Sequence, residues 1–117
     1  MVSSLAAGDD FQLYNVNADQ MAAICAWGTG CQALVYLTDV PGVRMEDGSV
    51  ARMLGRVEIE NLRSKGIIKG GMLPKTGSCL EALERGVASV YILPGVTPGI
   101  LNRFVDAALE EGTCIHG

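Results

Sequence analysis

The residues best suited to chemistry in this sequence form the motif Gly70-Gly71-Met72-Leu73-Pro74-Lys75, which follows an apolar run and opens a predicted helix. Paired glycines let main-chain N–H groups approach a ligand closely, and the positive end of a helix dipole attracts an anion. Pro74 suits a first helical turn, where a missing N–H loses no partner. Lys75 adds a mobile positive charge, so the motif predicts a place to hold phosphate. The alternative, from these residues alone, is a tight connection followed by an exposed lysine.

Two polar residues, Asn15 and Asp19, lie at the mouth of a predicted helix, one on the preceding loop and one in the first turn. Asn17 is placed as the N-cap, and Gln20 stands three residues later, as in a capping box. Asn15 and Asp19 are therefore candidates for binding a ligand at this helix end. The alternative is that they cap the helix and offset its dipole.

A second candidate binding edge follows residues 33–37, an apolar run that predicts a strand buried on both faces of a parallel sheet. The run leads directly into Thr38, Asp39 and the turn at Pro41 and Gly42. Ligands of open α/β sheets bind beyond the carboxyl ends of the strands, so these polar residues predict a binding edge. The alternative is an ordinary strand exit in which Asp39 hydrogen-bonds its own backbone.

The remaining pattern alternates strands with helices joined by short connections, which predicts an α/β domain with a mainly parallel sheet and right-handed crossovers. The inward residues of the 57–65 helix are predicted to be Val57, Ile59 and Leu62, and those of the 98–109 helix Ile100, Leu101, Phe104, Val105 and Leu109. The predicted elements are a hairpin formed by residues 2–7 and 11–14 around a turn at 8–10, a helix from 18 to 28, helices over 57–65, 72–85 and 98–109, and strands over 33–37, 88–93 and 112–115.

Composition excludes several classes of function. A chain of 117 residues is long enough for one domain with its own core, and 49% hydrophobic against 19% charged residues is typical of a globular protein. Thirteen acidic and nine basic residues give a net charge of −4, so nucleic acid and anionic membranes are not expected partners. The sequence also shows no apolar stretch of bilayer length and no signal-peptide pattern at its start.

The cysteines show no metal-ligand spacing, because they form no Cys-x-x-Cys pair and the only histidine is His116. We expect reduced, mostly buried thiols, no metal site of the protein's own, and a cytoplasmic location. The four cysteines are Cys25, Cys31, Cys79 and Cys114.

Three strings in order, with compatible spacing, resemble the amino-acid kinase family: Tyr14-Asn15-Val16-Asn17-Ala18-Asp19, Leu37-Thr38-Asp39-Val40-Pro41-Gly42-Val43 and Gly70-Gly71-Met72-Leu73-Pro74-Lys75. The middle string recurs across aspartate and uridylate kinases, whereas the other two are most similar to the N-acetylglutamate kinases. The resemblance runs nearly end to end and corresponds to the carboxyl-terminal half of that family. It implies the carbamate kinase-like fold, a mainly parallel sheet sandwiched by helices, with residues 1–117 as one nucleotide-binding lobe.

The resemblance also implies an activity, the magnesium- and ATP-dependent phosphorylation of N-acetyl-L-glutamate to N-acetylglutamyl 5-phosphate in arginine biosynthesis. Lys75 matches a lysine that stabilises the transition state, Asp19 an aspartate that organises the phosphate-binding lysines, and Asn15 the asparagine that binds the acylated amino acid. The implied nucleotide-binding residues are Asp39, Val40, Pro41, Gly42, Val43, Arg44, Ile67, Ile68 and Lys69, to which the motif adds Gly70 and Gly71.

The family's amino-terminal half carries a second phosphate-binding lysine, glycine-rich loops and a substrate-binding arginine, and we do not find these elements here. We therefore expect a lobe that binds nucleotide without catalysing the reaction alone. A sheet that lacks a neighbouring strand exposes unpaired edge groups, which predicts a homo-oligomer. Two alternatives are a non-catalytic nucleotide-binding or regulatory module, and a related kinase acting on an aminoadipate derivative or another small carboxylate.

Overall fold

Short strands and helices alternate along the protein in the computed structural model, which describes residues 5–7, 13–15, 18–106 and 111–117. The predicted alternation of strands and helices is confirmed. Two strands at the start form a separate antiparallel pair. In chain order the elements are β1 (Leu5–Ala7), β2 (Leu13–Asn15), α1 (Ala18–Gly28), β3 (Ala33–Thr38), β4 (Met53–Gly55), α2 (Arg56–Ser64), α3 (Met72–Glu84), β5 (Ser89–Pro94), α4 (Ile100–Val105) and β6 (Thr113–His116).

The main sheet has four strands in the order β3, β5, β6, β4. The β3–β5 and β4–β6 pairings are parallel, and β5–β6 is antiparallel. The predicted α/β sheet with flanking helices is confirmed, and the sheet is mixed, since two of these three pairings are parallel and one is antiparallel. Because β3 and β5 are parallel and in register from Ala33 with Ser89 to Thr38 with Pro94, both strands end at the same edge. The turn after Thr38 consequently lies at the carboxyl edge of the sheet, where α/β proteins bind ligands.

One apolar core joins the sheet to its helices. Apolar side chains removed from water are the main source of folding free energy, so this core fixes how α1, α2 and α3 sit on the sheet. Helices α1 and α3 also pack against each other, which brings the first turns of both into the same region. The fully buried members include Val90 and Ile92 of β5, Leu54 of β4, Ile115 of β6, Ile59 of α2, and Cys79 and Ala82 of α3.

Strand β3 is not buried on both faces, as its sequence predicted. Leu34 and Tyr36 are buried, but Leu37 is 50% exposed. β3 is an edge strand of the described sheet, and among the described elements none covers the side chain of Leu37. Consecutive residues, which point to opposite faces, are buried instead at the end of β5, from Ile92 to Pro94.

Several other predicted details are wrong. Val57, Leu101 and Val105 were placed inward but are 69%, 47% and 78% exposed, because no other described element packs over them. Strand β4 was not predicted, since three residues between polar segments carry little pattern. Of the four thiols only Cys79 is buried.

Three predictions, the turn at 8–10, Asn17 and Leu109, fall outside the described residues. Within the described residues no helix is long and apolar enough to cross a bilayer.

Candidate functional site

The ammonium of Lys75 is held by the carboxylate of Asp19. Lys75 Nζ donates to both Oδ1 and Oδ2 of Asp19 at 2.9 Å, and the two side chains are only 18% and 25% exposed. Each residue lies in the first turn of its helix, Asp19 in α1 and Lys75 in α3. A lysine near the positive end of a helix is disfavoured by the dipole, and the carboxylate offsets that cost. The structure thus brings the two sequence-predicted catalytic residues together across 56 positions of sequence.

Tyr36 lies against the same ion pair. The centroid of its ring is 4.9 Å from Lys75 Nζ, and its hydroxyl donates to the main-chain carbonyl of Asp19 at 2.8 Å. Burial raises the pKa of Tyr36 above its ordinary value, so the phenol stays a hydrogen-bond donor. Burial also raises the pKa of Cys79, one turn after Lys75, to about 12, which keeps that thiol protonated. Sequence reasoning missed Tyr36 because a tyrosine inside an apolar run is typical of a core strand.

Two adjoining depressions lie between the turn after β3 and the start of α3. The first, of about 180 Å³, has a largely apolar lining, and the second, of about 230 Å³, reaches Lys75. They share Val40, Lys69 and Met72 and so form one cleft. The first is lined by Val40, Gly42, Val43, Arg44, Ile67, Ile68, Lys69 and Met72, and the second by Thr38, Asp39, Val40, Lys69, Gly71, Met72 and Lys75.

The turn that forms one side of this cleft is held by Thr38. Its hydroxyl donates to the carbonyl of Val40 at 2.8 Å and accepts from the N–H of Val40 at 3.2 Å. The local hydrogen bonds of this turn therefore come from Thr38 rather than from Asp39. Asp39 is exposed and its carboxylate lines the second depression. The alternative, in which Asp39 hydrogen-bonds its own backbone to close the turn, is therefore wrong.

The loop after the turn is fastened to β6 by Thr113. The Thr113 hydroxyl accepts from the N–H of Val43 at 2.9 Å and donates to the carbonyl of Ala51 at 2.6 Å. Gly42 has a φ of 146°, and a Cβ added there would meet Thr113 Oγ1 at 2.7 Å and Val50 Cγ1 at 2.9 Å. Gly42 therefore allows the loop to approach β6 closely, and the same loop forms the floor of the first depression.

The structure gathers most, but not all, of the predicted nucleotide-binding residues. Gly71 lines the cleft, whereas Gly70, with a φ of 61°, forms the turn before α3 and is not among the lining residues. Pro41 lines a different cavity of about 330 Å³ with Arg52. Asn15 ends β2, paired in register with Leu5, and its side chain lies outside what the structure describes.

The side chains of the cleft carry mostly positive charge. Arg44, Lys69 and Lys75 supply three cations against the carboxylate of Asp39, with Asp19 paired to Lys75. Each depression combines apolar surface with two cationic side chains, Arg44 and Lys69 in the first and Lys69 and Lys75 in the second, which suits a ligand with an aromatic part and an anionic part. Within the described ranges there is no cluster of three or more His, Cys, Asp or Glu residues that could hold a metal ion.

A profile of the amino acid kinase family matches residues 2–94 of the sequence, which include all three strings and the whole cleft. The chain belongs to the amino acid kinase family. The chain is 49% identical over 113 residues to an acetylglutamate kinase from Acidobacterium capsulatum, an alignment that covers 97% of this chain and 44% of that protein. A second acetylglutamate kinase, from Koribacter versatilis, is 44% identical over 97% of this chain and 43% of that protein. This family member therefore spans less than half the length of the curated relatives it matches.

Solved structures agree with the family and its fold. The N-acetylglutamate synthase from Neisseria gonorrhoeae, complexed with coenzyme A and L-arginine, superposes with a TM-score of 0.89 at 29% identity, over 98% of this chain and 27% of that one. The carbamate kinase from Giardia lamblia bound to AMP-PNP superposes with a TM-score of 0.72 at 18% identity, over 93% of this chain and 36% of that one. The second comparison bears on the fold alone, and the predicted carbamate kinase-like architecture is confirmed.

Proposed function

We propose that this chain is the ATP-binding lobe of an acetylglutamate kinase and that Lys75 contacts the phosphoryl group that is transferred. The observation that carries the proposal is that both carboxylate oxygens of Asp19 hold the Lys75 ammonium at the wall of the second depression. Phosphoryl transfer needs positioned positive charge more than it needs a protein nucleophile. A lysine fixed by a carboxylate supplies that charge in a defined place.

The two halves of the cleft fit the two halves of ATP. The apolar side chains of Val43, Ile67 and Ile68 suit the adenine ring, and the depression that reaches Lys69 and Lys75 suits the polyphosphate. Two N–H groups of the Lys75 ammonium are directed to Asp19, which leaves its third donor for a phosphoryl oxygen. At the start of α3 the main-chain N–H groups of Met72 and Leu73 already donate to the carbonyls of Lys69 and Gly70, so the lysine side chains are the proposed phosphate contacts.

Magnesium fits this site as a companion of ATP rather than as a resident of the protein. Mg²⁺ in kinases is held by phosphate oxygens, waters and one or two carboxylates, and it neutralises charge on the phosphates when bound. The described residues offer no three-residue metal cluster, but the carboxylate of Asp39 lines the phosphate side of the cleft. Asp39 is the residue we assign to the hydrated magnesium ion.

The proposed acceptor is the side-chain carboxylate of N-acetylglutamate, which is the substrate named by the relatives at 49% and 44% identity. That carboxylate is ionised at neutral pH, so the reaction requires no general base. Asn15 is the proposed contact to the acylated amino acid. On this proposal the reaction is a step of arginine biosynthesis and takes place in the cytoplasm.

Calorimetric titration with magnesium-ATP tests the nucleotide site. We expect saturable binding that Lys75→Met weakens about tenfold or more, because one charge-assisted hydrogen bond to phosphate contributes roughly 1.5–3 kcal/mol. Lys65→Met is the matched control, since Lys65 is an exposed lysine at the end of α2 and lines no part of the cleft. Equal affinities for the two variants, or no binding by the folded chain, would contradict the proposal.

A turnover assay tests the assignment of this chain as one lobe. We expect the purified chain to release no ADP in the presence of N-acetylglutamate and magnesium-ATP, because the glycine-rich loops and second lysine implied for the partner lobe are not found in this sequence. Addition of the amino-terminal half of an acetylglutamate kinase is expected to restore turnover. Acetylglutamate-dependent ADP release by the chain alone, at ordinary kinase rates, would refute the lobe assignment.

A further inference from the structure

Tyr36 contacts both members of the Asp19–Lys75 pair, through two different parts of its side chain. Its ring face lies 4.9 Å from Lys75 Nζ, and its hydroxyl donates to the main-chain carbonyl of Asp19 at 2.8 Å. The residue is 5% exposed, so filling the core between β3 and the helices accounts for its size. A leucine or phenylalanine would fill the core equally well, which means that burial alone does not explain the hydroxyl.

The ring face acts on a lysine that has lost most of its water. A lysine ammonium on its four-carbon stem samples many rotamers when solvated, whereas this side chain is only 18% exposed. The electron-rich face of an aromatic ring attracts a cation within about 6 Å, and more strongly when the cation is desolvated. The carboxylate of Asp19 therefore holds Nζ from one direction and the ring of Tyr36 from another.

The hydroxyl of Tyr36 contacts Asp19 through the main-chain carbonyl of Asp19. The carbonyl of Asp19 belongs to the first turn of α1, and a carbonyl oxygen can accept a second hydrogen bond besides the helical one. The bond from Tyr36 ties this turn to β3 and so fixes where the Asp19 carboxylate stands. The raised pKa of Tyr36 keeps the phenol protonated, as donation requires.

We infer that Tyr36 is a positioning residue that holds the Lys75 ammonium toward the terminal phosphoryl group of a bound nucleoside triphosphate, through its ring face and through the hydroxyl bond to Asp19. This inference rests on the proposed function, because it takes the ligand of Lys75 to be that phosphate. If Tyr36 only fills the core, replacing it should reduce stability and lower the affinity for ATP and ADP equally. If Tyr36 acts through Lys75, replacing it should lower the affinity for ATP, which carries the terminal phosphate, and leave the affinity for ADP unchanged.

Titrations with magnesium-ATP and magnesium-ADP distinguish these roles. We expect Tyr36→Phe to weaken ATP binding about threefold and Tyr36→Leu about tenfold, with ADP affinity unchanged within twofold, in line with one hydrogen bond and one cation–π contact. In a Lys75→Met background Tyr36→Phe is expected to have no further effect. Tyr91→Phe is the matched control, because Tyr91 packs against Phe104 of α4 and lines no part of the cleft. Equal losses for ATP and ADP, or a full effect without Lys75, would overturn the inference.

A second measurement needs no nucleotide and so separates the two proposals. In a chain labelled with ¹³C at lysine Cε, the Lys75 methylene signal, assigned through Lys75→Met, is expected upfield of the other lysines because of the Tyr36 ring. The upfield shift is expected to persist in Tyr36→Phe and to vanish in Tyr36→Leu, with folding checked by circular dichroism. If the chain binds no ATP, the proposed function fails while this signal still reports on Tyr36. A Lys75 signal at the ordinary lysine position in the unmodified chain would overturn the inference.

Discussion

At the scale of single residues, the site depends on a charge that the fold has partly removed from water. Lys75 loses hydration in the packed region between α1 and α3, and two hydrogen bonds to Asp19 compensate for that loss. A lysine without such a partner would move its ammonium back into solvent. The carboxylate therefore contributes both to folding and to the placement of positive charge in the cleft.

The Asp19→Asn variant measures this contribution. We expect the free energy of unfolding to fall by about 1–3 kcal/mol, between the values for exposed and buried pairs, because the asparagine oxygen can still accept a hydrogen bond from the ammonium but the counter-charge is lost. Urea denaturation gives the value. Glu81→Gln, which removes the exposed Arg85–Glu81 pair at 3.9 Å, is the control and is expected to change the free energy by less than about 0.5 kcal/mol. An equal effect of both variants would show that the Asp19–Lys75 pair is no stronger than a surface contact.

At the scale of elements, the cleft exists because β6, the last strand, reaches back to the loop after β3. Thr113 bonds to Val43 and Ala51 and is 1% exposed. Neither partner is close to Thr113 in sequence, so the contact depends on the strand order of the sheet. The loop residues that line the first depression thus owe their position to a strand that takes no direct part in binding.

We expect Thr113→Val to destabilise the protein by about 1–3 kcal/mol, because a buried N–H and a buried carbonyl each lose a hydrogen-bond partner. The same variant should weaken magnesium-ATP binding, since the loop floor is released. Thermal unfolding and calorimetric titration measure the two effects. Thr113→Ser keeps the hydroxyl and is expected to stay close to the unmodified protein in both. A Thr113→Val variant as stable as the unmodified protein, in which the methyl group is kept and only the hydroxyl is lost, would show that these hydrogen bonds contribute little.

How far the sequence predicts these elements depends on how local their causes are. Helix α3 and strand β5 follow from apolar periodicity and from Gly86 and Gly95 beside them, which are local signals. The exposure of Leu37 and the existence of β4 depend on strand order, which no local pattern encodes. The Asp19–Lys75 contact was implied by resemblance, but Tyr36 was not, because its role arises only when β3, α1 and α3 meet.

At the scale of the whole molecule, the domain assignment and the oligomeric state remain proposals. We propose that residues 1–117 form one nucleotide-binding lobe, consistent with one core shared by the main sheet and its helices. At the outer edge of the described sheet, β3 carries the half-exposed Leu37 next to Gly95, and Val96 beyond it is 78% exposed. An edge strand with apolar side chains favours pairing with another chain.

We therefore expect a dimer or a larger assembly at micromolar concentration. Analytical ultracentrifugation measures the mass, and Leu37→Lys is expected to shift it toward the monomer, because a charge on an edge strand opposes pairing. Val57→Lys is the control, since Val57 is also exposed, at 69% against 50% for Leu37, but belongs to α2, which follows β4 at the other end of the strand order. A monomeric mass for the unmodified chain at that concentration would contradict the prediction.

A crystal structure of the chain with magnesium and a non-hydrolysable ATP analogue tests most directly whether Lys75 contacts the terminal phosphate. We expect the adenine in the depression lined by Val43 and Ile68, and an oxygen of the terminal phosphate within about 3 Å of Lys75 Nζ, with Asp19 still bound to that ammonium. An analogue bound instead in the separate cavity beside Pro41 and Arg52, or phosphates distant from Lys75, would contradict it.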